Sequence, residues 1–459
     1  MIPLSVQMVT EFCEGRLVKG DAERICRSVS TDSRKLVAGQ LFIALVGDKF
    51  DGHDFVHQAS QAAATAVVVS KLPADAGSLG CAVIEVPDTL VALQKLAARH
   101  RQLLNPLIIG ITGSNGKTST KDLTLAVLRK KYETFATAGN LNNHIGVPLT
   151  LLSMEEHHNC GVVEMGMNHP GEIAPLAEIA KPDAAIITNI GVAHIEYMGS
   201  RDAIALEKGV LAESVHAGGV VVLNANDEFT PAIAARCKAR VITAGVNAGE
   251  VRATIHESGA QGTRFTLDFA GTAAVSVSLA VPGEHMVGNA AMAAACAWHH
   301  GVSPDEIAAL LGAAALTKGR LQVKSWRGVV FLDDSYNANP DSMKAGLKTL
   351  QTMQVKGRRV AVLGRMGELG PHAEQGHREV GEFAARCGMG AVYTVGSEAA
   401  LISNAFTDSG GAGESRNFAS HGECAAHLRA WLQEGDAVLL KGSRSTAMEQ
   451  VLNHLETST

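Results

Sequence analysis

The sequence predicts an α/β protein of three domains. These are a small mixed α/β domain over 1–84, a central phosphate-loop domain with a parallel sheet over 85–313, and a Rossmann-like α/β domain over 314–459. Three observations predict this. The chain has 459 residues, enough for about three domains of ~150 residues. Apolar runs without polar alternation recur along it, as expected of strands buried on both faces of a parallel sheet. One such run passes through a glycine-rich loop into a helical pattern.

The elements follow in order. Residues 41–45 and 66–69 read as strands, with a helix near 53–64 between them. Over 88–102, Leu90, Leu93 and Leu96 recur at helical spacing, and a strand at 107–111 follows. Further strands end near Glu164, Thr188 and Asn224, and a helix covers 201–213. Over 251–281 the pattern changes: Phe265, Leu267 and Phe269 alternate, as do Val275, Val277, Leu279 and Val281, which suggests half-exposed antiparallel strands. An Ala-rich helix is expected at 289–300. Beyond 314, strands at 329–332, 360–364, 392–395 and 437–440 and a helix across 373–387 make a second α/β unit.

Composition excludes several classes. With 46% hydrophobic and 19% charged residues the chain is not disordered. No apolar run approaches the roughly 18 residues that span a bilayer. The first twenty residues carry neither a basic start nor a long apolar stretch, so no secretory leader is expected. The net charge of −6 disfavours broad nucleic-acid binding but not a local site for an anionic small molecule. Eight scattered cysteines without a Cys-x-x-Cys pair fit reduced thiols in a cytoplasmic protein better than a disulfide framework or a zinc site.

The strand at 107–111 runs into Thr112-Gly113-Ser114-Asn115-Gly116-Lys117-Thr118-Ser119, with Leu123, Leu125 and Leu128 on the helix beyond. Glycines let backbone N–H groups turn toward phosphate oxygens, and the helix N-terminus adds its dipole. Lys117 would neutralise phosphate charge and Thr118 would ligate Mg²⁺. The usual spacing is not kept: position 111 is Ile, and the earlier glycines are Gly110 and Gly113. A chance Gly-rich turn is the alternative, and the strand–loop–helix context argues against it. No Asn-Lys-x-Asp guanine motif is present.

Ligands of open α/β sheets bind beyond the carboxyl ends of strands. Glu164 sits at one such end, His194 just past another and Thr118 beyond a third. Each taken alone is an ordinary strand-end or loop residue; together with the phosphate loop they suggest a divalent-metal site, with oxygen donors suited to Mg²⁺. Lys208 shares a helical stripe with Ile204 and Leu211. A lysine there either snorkels to solvent or is held inward, and the pattern does not separate the two.

These residues, with Gly319-Arg320 and Asp334, resemble the Mur ligase family of ATP-dependent amide ligases. Several segments carry the resemblance from about 27 to 450: Thr31-Asp32-Ser33-Arg34, Asp51-Gly52-His53-Asp54-Phe55, Gly139-Asn140-Leu141-Asn142-Asn143, Glu164-Met165-Gly166-Met167-Asn168-His169-Pro170-Gly171, Asp333-Asp334-Ser335-Tyr336-Asn337-Ala338-Asn339-Pro340-Asp341-Ser342 and Lys441-Gly442-Ser443-Arg444. They point to the branch that adds D-alanyl-D-alanine to a UDP-N-acetylmuramoyl-tripeptide in peptidoglycan synthesis. At Arg365 the chain departs from the acidic residue the family usually carries.

The resemblance implies a three-domain Mur ligase architecture and a set of roles. Gly113 to Ser119, Asn289, Arg320 and Asp334 would bind ATP; a helix N-cap role for Asn289 is equally compatible with its spacing. Thr118, Glu164, His194 and Lys208, the last as a carbamate, would handle Mg²⁺. Lys117, Lys208, His194 and Asp334 would be catalytic. Ser33, Arg34, Asp51 and His53 would lie near the UDP-sugar, and Asn140, Asn142, Asn143, Asn337, Asn339 and Ser342 would contact substrate. An Asn/Pro turn is the plain reading of 337–342, and both can hold. The reaction would run through an acyl phosphate that the dipeptide amine attacks. A cytoplasmic monomer acting on small molecules is expected. The amino-acid-adding branch of the family and the folate-polyglutamate ligases share the phosphate loop; the former carries Asp-Tyr-Ala-His where this chain has Asp334-Ser335-Tyr336-Asn337. An ATP-binding switch protein is the rival from another class.

Overall fold

A computed structural model describes residues 1–457. They form two compact units. The first comprises 1–110, 131–167 and 171–184; the second comprises 111–130, 168–170 and the chain from 185 onward.

In the first unit a five-stranded sheet has the order Arg16–Lys19, Ala82–Glu85, Ala66–Val69, Leu41–Ile43, Val29–Ser30. The edge strand Arg16–Lys19 is antiparallel and the rest are parallel. Phe42, Val56, Val67 and Val83 fill its core. The helix expected near 53–64 is shorter. Asp51 caps a single 3₁₀ turn, Gly52–Phe55, before the helix Val56–Gln61, and Ala63 at φ 59° stops it. The helix Thr89–Leu104 starts where Asp88 accepts from the N–H groups of Leu90 and Val91, a side-chain cap for orphan donors. It buries Leu93 and Leu96 and ends at Asn105 in the left-handed region. The unit also holds Thr134–Ala136 parallel to Cys160–Glu164, which neighbours the first residues of Leu107–Thr112.

In the second unit, Thr188 donates its N–H to Thr112 at the end of that strand. Val220–Asn224 and Arg240–Val246 pair in parallel. Val251–Gly259, Gly262–Phe269 and Val275–Leu279 then form the expected antiparallel meander. The helix expected from 289 starts earlier and spans Glu284–His299. Gly283, at φ 111°, makes the turn that releases it, so Asn289 lies inside the helix and is not its cap.

The C-terminal sheet of this unit has six strands in the order Gln322–Trp326, Val329–Asp334, Ala437–Lys441, Arg359–Leu363, Ala391–Val395, Glu414–Phe418. Only the first pair is antiparallel. The last strand in the chain is inserted beside Val329–Asp334, which puts Lys441 opposite Asp334. Phe331, Val362, Tyr393 and Leu440 belong to the core on one face of this sheet. All eight cysteines are free thiols. Among the described residues no helix is long and apolar enough to cross a membrane.

Candidate active site

In the second unit the phosphate loop leads from Thr112 into the helix Lys117–Leu128. Its glycines are required by space. A Cβ on Gly113 would lie 1.9 Å from Thr188 Oγ1, and one on Gly116 would lie 2.7 Å from Asn289 Oδ1. Lys117 curls back so that Nζ donates to Gly113 O at 2.7 Å. The loop backbone is fixed by the next strand end. Asn115 N–H donates to Asn189 Oδ1 at 2.9 Å, while Asn189 Nδ2 and Thr188 Oγ1 both donate to Asn115 O. Ser114 Oγ accepts from Gly191 N–H at 2.8 Å. Such a loop presents preset N–H groups and one ammonium, the equipment for polyphosphate.

Around it stand the other expected groups. Thr118 is buried and its Oγ1 accepts from Arg320 Nη2 at 3.2 Å. The Arg320 guanidinium lies 4.1 Å above the Tyr336 ring, a cation–π geometry. Lys208 is fully buried, and its Nζ has no hydrogen-bond partner among the described residues. Burial first, and Lys117 second, drive its pKa well below the ordinary lysine value, so the amine is held toward its neutral form. This selects the inward reading over snorkelling. His194 has a left-handed backbone, φ 63°. Its Nδ1 lies 2.8 Å from Glu368 Oε2. The His194 ring is the main cause holding the Glu368 carboxyl below its usual range.

Asp334 ends its strand and accepts from Leu321 N–H through Oδ1 and from Lys441 Nζ through Oδ2 at 2.5 Å. Lys441 also donates to Asn337 O. Burial lowers the Lys441 pKa, and Asp334 opposes that. Asn289 is buried beside Gly116. Asn337 Oδ1 accepts from the N–H of Ala338. Asn339 and Ser342 cap the helix Pro340–Thr352 reciprocally, and Asn339 Nδ2 donates to Asn115 Oδ1 at 2.8 Å. The Asn/Pro turn is thus present, and it also touches the phosphate loop.

The first unit holds the remaining candidates. Glu164 is buried and accepts from Asn142 Nδ2 at 2.8 Å. Asn143 Oδ1 accepts from Gly146 N–H, and Asn140 is exposed. Ser33 opens a 3₁₀ turn. Arg34 projects into solvent with 83% of its side chain exposed, paired with Asp32. His53 is bound between Asp51 Oδ1 and the N–H of Ser70. Among the described residues no group of three or more His, Cys, Asp and Glu is placed to hold a metal. Thr188, Asn189, Tyr336, Glu368 and Lys441 received no role from the sequence. Lys441 follows an apolar run that ends a strand, the same signal that marked Glu164.

Residues 26–101 match the Mur ligase family catalytic domain, 111–297 the Mur ligase middle domain and 319–444 the Mur ligase glutamate ligase domain. The UDP-N-acetylmuramoyl-tripeptide–D-alanyl-D-alanine ligase of Escherichia coli is 38% identical, covering 99% of each chain. The chain belongs to the Mur ligase family. This Mur ligase is also 36% identical to the Bacillus subtilis ligase of the same name, again over 99% of each chain. Its fold matches MurF from Acinetobacter baumannii with a TM-score of 0.90 at 33% identity, covering 99% of each chain. The expected architecture of three Mur ligase domains is present.

Proposed function

We propose that this Mur ligase joins D-alanyl-D-alanine to UDP-N-acetylmuramoyl-tripeptide, with ATP converted to ADP and phosphate, in the cytoplasmic stage of peptidoglycan synthesis on which cell shape and division depend. The full-length likeness to the ligases of that name carries the proposal. Domains at 1–84, 85–313 and 314–459 and a monomeric state are part of it.

The chemistry follows from the residues. The terminal carboxylate of the tripeptide attacks the γ-phosphorus, the bond to the ADP oxygen breaks, and an acyl phosphate forms. The dipeptide amine then attacks the acyl carbon, loses a proton and expels phosphate. Negative charge gathers on the γ-phosphoryl oxygens in the first step. Lys117, the loop N–H groups and Arg320 oppose it from fixed positions, so little reorganisation is needed when the charge develops. Asp334 and Asn289 serve the nucleotide. Ser33, Arg34, Asp51 and His53 serve the UDP-sugar; Asn140, Asn142, Asn143, Asn337, Asn339 and Ser342 serve the substrates.

The donor chemistry suits Mg²⁺. A buried amine with no hydrogen-bond partner among the described residues would become an oxygen ligand once carbamylated, and Thr118 and His194 are the other expected donors of the same unit. Bound Mg²⁺ would supply charge neutralisation on the phosphates. The test is ADP release by the purified chain. Steady release is expected only with UDP-tripeptide and D-Ala-D-Ala together. Release that ignores the dipeptide, or that a single amino acid sustains, overturns the proposal.

A further inference from the structure

Three side chains of the C-terminal region reach the two loops that carry the ATP-site groups. Asn339 Nδ2 donates to Asn115 Oδ1 in the phosphate loop at 2.8 Å. Asp341 Oδ2 accepts from Val192 N–H at 2.8 Å, two residues before His194. Glu368 Oε2 lies 2.8 Å from His194 Nδ1. The approach of Asp341 is close: a Cβ on Gly191 would sit 2.2 Å from its Oδ2. Glu368 and His194 both hold left-handed backbones, φ 59° and 63°, which non-glycine residues keep only where their surroundings enforce them.

These contacts do not fall on neutral surface. Asn115 is the loop residue clamped by Thr188 and Asn189. Val192 and His194 continue the same strand-end segment. Asp341 and Glu368 are carboxylates, and a carboxylate accepting from a backbone N–H or facing an imidazole makes a stronger contact than a neutral group does. A carboxylate behind a histidine also sets the ring orientation with which the histidine meets its own ligand.

We propose that Asn339, Asp341 and Glu368 are positioning residues that couple docking of the C-terminal sheet to the geometry of the phosphate loop and of His194. The ATP-site groups then reach working positions only when that sheet is docked. This rests on the ligase reading for the identity of the site, not for the existence of the clasp.

The test uses the full chain with Asp341→Ala, Glu368→Gln and Gly191→Ala. The last blocks the approach of Asp341 without removing its carboxylate. With ADP present, Asp341→Ala and Gly191→Ala are expected to raise amide hydrogen exchange over 190–194 by about tenfold or more. All three are expected to lower kcat by roughly 10- to 100-fold, the scale of a small misplacement of reacting groups. The Kd for ADP should stay within about threefold, because Lys117 and the loop N–H groups remain. Exchange and kcat at parental values in Asp341→Ala and Glu368→Gln would overturn the proposal, as would ADP affinity falling in proportion to kcat. A parent without ligase activity would sink the ligase reading alone, since the exchange measurement still decides on the clasp.

Discussion

Lys208 shows how much one side chain can state about its chemistry. A fully buried ammonium with no hydrogen-bond partner is costly to keep charged, and the charge of Lys117 adds to that cost here. A neutral amine is the form that reacts with CO₂, and the carbamate it yields is an anionic oxygen ligand suited to a hard cation. Lys208→Ala is therefore expected to be nearly inactive, with partial rescue by acetate or formate filling the vacated ligand position. Rigorous CO₂ removal should also lower parental activity. Near-parental turnover of the alanine variant, unresponsive to added acid, would reject the metal-ligand role. His100 offers a test of stability at the same scale. It is fully buried, its Nε2 accepts from Ile2 N–H, and burial pushes its pKa down to about 4 from an ordinary 6.5. Between these values the unfolded chain binds the extra proton, so stability rises with pH there. The contribution is complete above pH 6.5 and is lost as pH falls toward 4. In His100→Gln, thermal melts across that range are expected to depend less steeply on pH than the parent's; equal slopes would refute this.

At the scale of elements, the Asp334–Lys441 pair joins neighbouring parallel strands at opposed register positions. Both side chains are largely buried, at 11% and 3% exposure. Removing one member leaves an uncompensated charge, which typically costs ~3–5 kcal/mol. Lys441→Met is expected to destabilise the chain on that scale and to raise the KM for ATP, while Asp334→Asn combined with Lys441→Met recovers part of the stability. Denaturant titration of the three variants measures it; a double variant no more stable than Lys441→Met would show that the pair carries no coupling. Buried strands elsewhere and beside this pair also show what the sequence could reveal. Val329–Asp334, Ala437–Lys441, Ala184–Ile187 and Val220–Asn224 are almost wholly buried; apart from polar residues at their carboxyl ends they are apolar, so the runs were legible. Glu414–Phe418 is an edge strand with only Phe418 buried, and its polar sequence left no period to read. The early start of Glu284–His299 depended on the turn at Gly283, where the apolar pattern had not yet begun. The phosphate loop was legible because its chemistry is local. Glu368 and Asp341 were not, because their meaning lies in partners far away along the chain.

Across the whole molecule, the candidate groups divide between the two units. The phosphate loop, Lys208, Arg320 and Asp334 belong to the second, and Ser33, Arg34, Asp51 and His53 to the first. This division has kinetic consequences. A group that grips the UDP end far from the reacting atoms binds ground state and transition state alike, so its loss raises KM and leaves kcat unchanged. A group that meets charge developing on the γ-phosphoryl acts in the transition state, so its loss lowers kcat. Arg34 is solvent-exposed and tied, among the described residues, only to Asp32, which leaves its guanidinium available to a diphosphate without disturbing the fold. Arg320 is stacked on Tyr336 and bonded to Thr118, preset beside the phosphate loop. Arg34→Ala is expected to raise the KM for UDP-tripeptide by about tenfold with kcat retained. Arg320→Ala is expected to lower kcat by roughly 100-fold with the KM for UDP-tripeptide nearly unchanged. Steady-state kinetics with each substrate varied in turn separates the two. If Arg34→Ala lowers kcat and Arg320→Ala acts only on the KM for UDP-tripeptide, the division of labour is wrong, and the groups that meet the γ-phosphoryl must be sought in the first unit.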